Sequence, residues 1–141
     1  MEQYLEFAGN HPYLVMAFMA ILSLLISGEI ARLTRGFPDI SPAQAVQVMN
    51  QDRALLLDVR SIAEWREGHI LNATHIPLGE LPGRLKELEK HRGAPVVVVC
   101  RSGSRSASAC SLLKKQGFEQ LHNLGGGLLA WSSANLPLVK K

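Results

Sequence analysis

Hydrophobic and polar positions divide the chain into an apolar N-terminal segment and a longer region of short alternating patterns. Between Ala8 and Gly28 the sequence carries no formal charge, and "PYLVMAFMAILSLLISG" is almost continuously apolar. Extending the run to Leu33 makes it long enough to cross the hydrocarbon core as a helix. The pattern therefore predicts a transmembrane helix over residues 11–33, preceded by a short extracytoplasmic tail, residues 1–10.

A cleaved signal peptide and a buried core helix are the alternatives to a membrane anchor. A signal peptide has a basic N-terminal region and a small-residue cleavage site, whereas Glu2 and Glu6 precede this apolar run. A buried helix is disfavoured because the segment is apolar on all sides and lies outside the alternating region. Arg32 and Arg35 follow the span and no Lys or Arg precedes it, so the C-terminal part is predicted to face the cytoplasm.

The region that follows a linker, residues 34–39, alternates strand-like and helix-like segments. Strands are predicted where apolar and β-branched residues cluster, at "ALLLDV", "ATHIP", "PVVVV" and "EQLHNL". Helices are predicted at "SPAQAVQVMNQ", after the capping pair Ser61 and Glu64, at "GRLKELEKH", from Ser104 to Gln116, and at "LLAWSSA". This alternation predicts an α/β domain over residues 40–141, with a mostly parallel central sheet of about five strands flanked by helices.

Composition narrows the possible functions mainly by exclusion. The 141 residues are 47% hydrophobic and 19% charged, which suits one packed domain and one apolar segment. The net charge of +3 is small, and no basic stripe with interleaved aromatic residues suggests a nucleic-acid partner. The two cysteines lack CxxC spacing and the five histidines are scattered, so neither a disulfide scaffold nor a metal site is predicted.

The segment "VVVVCRSGSRSAS" places Cys100 at the end of the most apolar predicted strand. Ligands of parallel sheets bind outside the carboxyl ends of the strands. The five residues that follow the cysteine are Arg101, Ser102, Gly103, Ser104 and Arg105. Their backbone N–H groups, the start of a helix and two guanidinium groups predict an anion pocket that lowers the pKa of the thiol. Cys100 is therefore the candidate nucleophile, whereas an inert cysteine would have apolar neighbours.

Two further features refine this assignment. Cys110 lies within a predicted helix on the face of Ser106, Leu113 and Gly117, which indicates a packing role. Cysteine phosphatases place five residues between cysteine and arginine, whereas four separate Cys100 from Arg105 here. The shorter loop from Cys100 to Arg105 favours binding of one extra sulfur atom over a phosphate. No Asp is obviously placed to protonate a leaving group. A Cys-dependent phosphatase or arsenate reductase is thus disfavoured.

Three segments, "LLLDVRSIAEWREGHILNATHIPL", "VVVVCRSGSRS" and "NLGGGLLAW", resemble in order and spacing three signatures of the rhodanese (sulfurtransferase) family. The resemblance covers about Ile40 to Pro137, and the whole chain resembles the bacterial single-domain type with one membrane helix. It implies a rhodanese-like fold and a protein of the bacterial inner membrane. It also implies that Cys100 accepts a sulfane sulfur as a persulfide from an anionic donor and passes it to a thiol or cyanide, without cofactor or metal.

The resemblance further implies roles for individual residues of the loop and its surroundings. The backbone N–H groups of residues 101–105 would hold the persulfide, and Arg101 and Arg105 would attract a donor such as thiosulfate. Asp58 and Arg60 match an Asp-x-Arg element, for which we expect a supporting ion pair that shapes the loop.

The remaining matched positions are expected to be structural. His69, in "GHI", is expected to be a hydrogen-bond partner, and Trp131 an anchor in the core or at its rim. The glycines Gly125–Gly127 lack GxGxxG spacing after an N-terminal strand and are interpreted as a tight strand-to-helix turn. A non-catalytic rhodanese-like module that docks a membrane or envelope partner remains the alternative to an enzyme, because fold alone does not fix function.

Overall fold

The computed structural model describes residues 1–140, which form two compact units, Met1–Gly36 and the chain from Phe37 onward. The first unit contains two helices, α1 (Glu2–Asn10) and α2 (Pro12–Thr34). Pro12 begins α2 because its ring fixes a helical φ and its missing N–H would have no partner in a first turn. Helix α1 was not predicted from the sequence.

Helix α2 is long and apolar enough to cross a membrane. It has 23 residues, an 18-residue window within it has a mean hydropathy of 2.2, and none of its side chains is buried within the protein. At 1.5 Å per residue its length is about 35 Å, which exceeds the roughly 30 Å of a hydrocarbon core. Compared with the predicted residues 11–33, both of its bounds lie one residue toward the C terminus.

The second unit is built on a five-stranded, wholly parallel sheet in the order β1-β5-β4-β2-β3. The strands are β1 (Asp39–Ile40), β2 (Leu55–Asp58), β3 (Thr74–His75), β4 (Pro95–Val99) and β5 (Gln120–Leu124). The predicted α/β architecture with a parallel sheet of about five strands is confirmed. Strand β4 occupies the centre, as its continuous β-branched residues required.

Strand β1 has no signal in the sequence because two residues are too few to show a periodicity. Asp39 belongs to the segment predicted as a linker, yet it pairs with Asn123, and Ile40 pairs with Leu124. The segment without regular structure between α2 and β1 is therefore residues 35–38.

Helices pack against both faces of the sheet. They are α3 (Pro42–Met49), α4 (Ile62–Glu67), α5 (Ser104–Lys115) and α6 (Gly127–Ser133). Ser41 and Ser61 begin α3 and α4 with complete capping boxes, closed by Gln44 and Glu64. Both predicted helix starts are confirmed, because each serine hydroxyl accepts a backbone N–H that the helix itself leaves unpaired.

Two hydrophobic clusters form the core, one on each face, because successive residues of a strand point to opposite sides. Val96 and Val98 pack in one cluster with the buried side of α5, and Val97 and Val99 pack in the other with α3 and α6. Complete burial of one such side chain contributes about 1.5–3 kcal/mol. The four valines therefore anchor the strand that carries Cys100.

The predicted helix at "GRLKELEKH" forms differently from the expectation. Two 3₁₀ helices, Leu81–Gly83 and Leu85–His91, replace an α-helix. Leu85 and Leu88 do pack inward, as predicted. Their spacing of three residues aligns them at three residues per turn, which suits a 3₁₀ helix better than the 3.6-residue period.

Candidate active site

Cys100 directly follows β4 at the carboxyl edge of the sheet. The cysteine loop, residues 100–105, turns back at once, because Gly103 adopts a φ of 102° and α5 begins at Ser104. The backbone N–H of Gly103 consequently donates to Cys100 Sγ at 3.0 Å. The expected positive φ at Gly103 is present, and it aims a backbone donor at the sulfur.

The environment of the thiol determines its acidity. Only 1% of Cys100 is exposed, and this burial on its own raises the pKa of the thiol. The Ser106 hydroxyl, 3.3 Å from Sγ, and the backbone N–H groups of Ser106, Gly103 and Ser102 outweigh the burial. The pKa of Cys100 therefore lies below its usual 9.0, in the direction predicted for a nucleophile.

The guanidinium of Arg105 is held by a carboxylate rather than directed at the sulfur. Its two terminal nitrogens donate to Glu64 Oε2 and Oε1 at 2.8 and 2.7 Å. The hydrogen bond from Arg105 is the main cause that lowers the pKa of Glu64 to about 2. This differs from the expectation that both guanidinium groups face the sulfur, because Glu64 of α4 neutralises one of them.

Arg101 is exposed and lies at the rim of a pocket of about 230 Å³ beside the cysteine loop. Arg60 and Glu64 line its polar part, and Leu128 and Leu129 of α6 line its apolar part. Arg101 thus adds a positive charge to the lining of this pocket.

Asp58 and Arg60 form a buried ion pair, as expected for a supporting element. Asp58 Oδ2 accepts from Arg60 at 2.7 Å, and Asp58 Oδ1 accepts from the backbone N–H of Arg60. The same guanidinium donates to the carbonyls of Glu64 and Gly68 at 3.0 and 2.9 Å. The pair therefore holds the middle and the C-terminal end of α4, the helix that carries the partner of Arg105.

His69 has the structural role predicted for it. Its Nδ1 lies 3.1 Å from the carbonyl of Trp65, and its ring stacks on the Trp65 indole at a centroid distance of 3.6 Å. His75 also stacks on Trp65, at 4.6 Å, and its Nε2 lies 2.8 Å from the carbonyl of Arg60. This double stack was not predicted, since nothing in the sequence pairs β3 with α4.

The glycine turn, Gly125–Gly127, lies directly behind the cysteine loop. A Cβ at Gly127 would overlap the Cys100 carbonyl and lie 2.5 Å from the carbonyl carbon of Arg101. The next two N–H groups donate to the carbonyls of Cys100 and Arg101 at 2.9 and 3.2 Å. These carbonyls therefore point away from the sulfur, which leaves N–H groups on its side. The predicted turn is confirmed, but its contact with the loop was missed.

A second missed group is the hydrogen-bond network of the buried Ser106 and Asn123 with the half-buried Asp39. Asn123, 2% exposed, donates from Nδ2 to Asp39 Oδ1 at 2.8 Å and to the Gly103 carbonyl at 3.1 Å. Its Oδ1 accepts from the Ser106 hydroxyl. The sequence signal for this network was Asn123, a polar residue near the carboxyl end of β5, the strand next to β4.

Cys110 is fully buried in the middle of α5, and burial raises the pKa of its thiol to about 12. Its Sγ contacts the carbonyl of His122 at 3.9 Å. These contacts agree with the predicted packing role. Within residues 1–140, no three His, Cys, Asp or Glu side chains converge closely enough to hold a metal ion.

The family model described as "Rhodanese-like domain" matches residues 41–134. The chain belongs to the rhodanese-like family. The match begins at the N-cap of α3 and ends just after α6, so it contains the cysteine loop, the Asp58–Arg60 pair and the glycine turn.

Relatives support the same assignment over different lengths. The uncharacterized protein YibN of Escherichia coli (strain K12) is 33% identical over 145 residues, covering 99% of both chains. A sulfurtransferase of Allochromatium vinosum is 38% identical over 99 residues, which cover 70% of this chain and 91% of its own length. The crystal structure of a rhodanese-related protein from Thermoplasma volcanium is 30% identical, with a TM-score of 0.66, and covers 74% of this chain and all of that one.

Proposed function

We propose that this rhodanese-like protein is a sulfurtransferase that carries a sulfane sulfur on Cys100 as a persulfide. The observation that carries the proposal is a buried thiol whose pKa is lowered by surrounding donors in spite of its burial. A lowered pKa increases the fraction of thiolate, which is the nucleophilic form of cysteine. The similarity to the Allochromatium vinosum sulfurtransferase supports the reaction class.

In the first half-reaction the Cys100 thiolate attacks the sulfane sulfur of an anionic donor. With thiosulfate, a bond forms between Sγ and that sulfur, the donor's S–S bond breaks, and sulfite leaves with the bonding electrons. Backbone N–H groups of the cysteine loop hold the transferred sulfur, as oxyanion-hole donors hold developing charge. Arg101 at the pocket rim attracts the donor and stabilises the sulfite as it leaves.

In the second half-reaction a thiolate or cyanide attacks the outer sulfur of the persulfide. The bond between the two sulfurs breaks, and its electron pair returns to Sγ as a thiolate. The product is a new persulfide or thiocyanate, and the enzyme regains its starting state. One site serves both steps, so donor and acceptor bind in turn.

The size of the loop supports sulfur over phosphate as the group transferred. The Gly103 N–H and the Ser106 hydroxyl already lie 3.0 and 3.3 Å from Sγ. The guanidinium of Arg105, which could otherwise bind phosphate oxygens, is paired with Glu64. A single sulfur atom needs less room in this loop than a tetrahedral dianion.

We further propose that α2 anchors the enzyme in the bacterial inner membrane, with the rhodanese-like domain in the cytoplasm. The length and apolar character of Pro12–Thr34 support the anchor. Arg32 and Arg35 after the helix, with no Lys or Arg before it, support the orientation. A reporter enzyme that works only in the cytoplasm, fused to the C terminus, should be active, and activity of a periplasmic reporter would contradict this topology.

The catalytic proposal is tested with the full chain in detergent, incubated with thiosulfate and then with cyanide. We expect intact Cys100 to gain the mass of one sulfur atom and thiocyanate to be released. Cys100→Ser should show neither, and Cys110→Ala, the matched control for loss of a buried thiol, should show both. Wild-type protein that gains no sulfur and releases no thiocyanate would refute turnover and leave a docking module as the function.

A further inference from the structure

The Ser106 hydroxyl lies between two atoms that can each accept its hydrogen. Its Oγ is 3.3 Å from Cys100 Sγ and also donates to Asn123 Oδ1. Ser106 is fully buried, so no water competes for this hydrogen. A hydroxyl has one hydrogen and can rotate it to either acceptor.

The orientation of the Asn123 amide is fixed from its other side. Its Nδ2 donates both to the Asp39 carboxylate and to the Gly103 carbonyl, two acceptors that only the amide nitrogen can serve. Its Oδ1 must therefore face Ser106 and provides a permanent alternative acceptor. Because of this acceptor, the Ser106 hydrogen has a partner even when the sulfur does not require it.

We infer that Ser106 is a switching donor that gives its hydrogen to Sγ when the sulfur is anionic and to Asn123 Oδ1 when the sulfur is neutral. A hydrogen bond to a charged acceptor is about twice as strong as one to a neutral acceptor. The charge on Sγ therefore decides where the hydrogen points. Ser106 is a catalytic residue in this inference because it touches the reacting atom.

The switch has a consequence for each half-reaction, and this part of the inference rests on the proposed function. When Sγ attacks the donor it becomes a neutral persulfide sulfur, and the hydroxyl turns to Asn123. When the acceptor removes the outer sulfur, the electron pair of the broken bond returns to Sγ, and the hydroxyl turns back to it. Ser106 thereby stabilises the thiolate both as nucleophile and as leaving group, without itself gaining or losing a proton.

The first test measures the alkylation rate of Cys100 with iodoacetamide in the full chain across about pH 5 to 10, a range that excludes the reference pKa values of carboxyl and guanidinium groups. In Ser106→Ala the pKa of Cys100 should rise by about one unit, so that alkylation slows about tenfold below both pKa values and is unchanged above them.

The charged and titratable groups around this network are Asp39, Asp58, Glu64, Arg105, Cys110 and His122.

Ser108→Ala is the matched control, since Ser108 is exposed on α5 and donates only within the helix, to the Ser104 carbonyl. It should leave the pH profile of wild type. A merely structural role of Ser106 would slow alkylation by the same factor at every pH, and that result would overturn the inference. An unchanged profile in Ser106→Ala with an unchanged unfolding temperature would overturn it as well.

Asn123→Ala tests the alternative acceptor. Once the acceptor is lost, the Ser106 hydrogen stays with Sγ, so the pKa of Cys100 should stay at its wild-type value or fall. A rise equal to that of Ser106→Ala, with the unfolding temperature preserved, would show that both residues only hold the loop and would contradict the switch.

The last test loads the persulfide with thiosulfate and measures its discharge by cyanide. Ser106→Ala should discharge about tenfold more slowly, because the departing Sγ charge lacks one hydrogen bond to a charged group. Equal discharge rates would overturn the role in the leaving-group step. If wild-type protein takes up no sulfur, the proposed function fails, while the alkylation profile still decides whether Ser106 serves the thiolate.

Discussion

Two regions of the same chain bury a cysteine to the same degree and give it opposite chemistry. Cys100, at the carboxyl edge of the sheet, is 1% exposed, and Cys110, in the middle of α5, is 0% exposed. The pKa of Cys100 is lowered, whereas burial raises that of Cys110 to about 12. Burial alone therefore does not explain the difference in acidity between the two thiols.

The difference lies in the hydrogen-bond donors near each sulfur. Cys110 lies in mid-helix, where the backbone N–H groups are paired within the helix, and its Sγ faces the carbonyl of His122, which is an acceptor. Cys100 precedes the first turn of α5, where N–H groups have no partner within the helix. The pKa of a buried thiol is therefore lowered where a loop and a helix start supply N–H groups that have no other partner.

The largest expected effect is the difference in alkylation between the two thiols at neutral pH. A thiol with a pKa of about 12 has roughly 10³-fold less thiolate than one at the usual 9.0, and Cys100 lies below 9.0. Iodoacetamide should therefore label Cys100 more than about 10³-fold faster than Cys110. Peptide mass mapping after graded labelling measures the ratio, and comparable labelling of the two sites in folded protein would remove the basis of the comparison.

A smaller effect is expected when the support behind the cysteine loop is disturbed. Gly127→Ala introduces a Cβ that overlaps the Cys100 carbonyl, at a φ of 57°. We expect the free energy of unfolding to fall by about 2–4 kcal/mol, because the backbone is strained and the loop is displaced. Alkylation of Cys100 should also be slower.

Gly117→Ala, just after α5, is the control for the positive φ. Gly117 has a φ of 89°, but a Cβ there would meet nothing within 4 Å. Gly117→Ala should lower the unfolding temperature through backbone strain but leave the alkylation rate of Cys100 unchanged. Thermal unfolding and alkylation are measured in parallel. Equal effects of both substitutions on alkylation would show that the turn does not shape the loop.

A several-fold effect is expected when Arg105 is released from Glu64. Glu64→Gln keeps the capping box, since Gln44 performs the same role in α3, but removes the ion pair. The freed guanidinium should lower the KM for thiosulfate by up to about fivefold, the equivalent of a partly exposed ion pair, with little change in kcat.

Glu87→Gln makes the same charge change at an exposed pair with Arg84 in the 3₁₀ segment. Steady-state kinetics of this control should match wild type, because the altered charge is exposed and screened by salt. A lower KM in both variants would indicate a general charge effect instead of release of Arg105.

The smallest effect concerns acid stability and also depends on Glu64. Its pKa is lowered from 4.5 to about 2 in the folded protein, chiefly by the hydrogen bond from Arg105. A carboxyl group whose pKa is lower in the folded than in the unfolded protein stabilises the folded protein at pH values above the unfolded pKa. This contribution is lost as the pH falls from 4.5 toward 2. Wild type should therefore lose about 1 kcal/mol or less of stability in this range beyond what Glu64→Gln loses. Thermal unfolding of both proteins at pH values on either side of this window measures the difference.

Much of the fold follows from local patterns in the sequence. The valines before Cys100 indicate a central strand, and Ser41 and Ser61 mark two helix starts, because burial and capping act over a few neighbouring residues. Strand β1 was not predicted, because Asp39 and Ile40 form a strand only through their pairing with β5.

The site was predictable to the extent that the cysteine loop contains its own donors. Gly103 and the helix start lie within five residues of Cys100, so their effect on the thiol could be inferred. Glu64 reaches Arg105 from 41 residues away, and Asn123 reaches Gly103 from 20 residues away. Such contacts are set by the order of strands in the sheet, which a single sequence does not specify.

The hydrogen bonds from the α6 N terminus to the carbonyls of Cys100 and Arg101 have a consequence for biosynthesis. The residues that make these bonds, Leu128 and Leu129, are synthesised well after Cys100. A nascent chain that has emerged only as far as α5 contains Gly103 and Ser106 but lacks the two hydrogen bonds that hold the loop carbonyls from behind. We expect the cysteine loop to reach its final shape only when the last helix docks, so that chains truncated by translation arrest carry the thiol in a loop that is not held from behind.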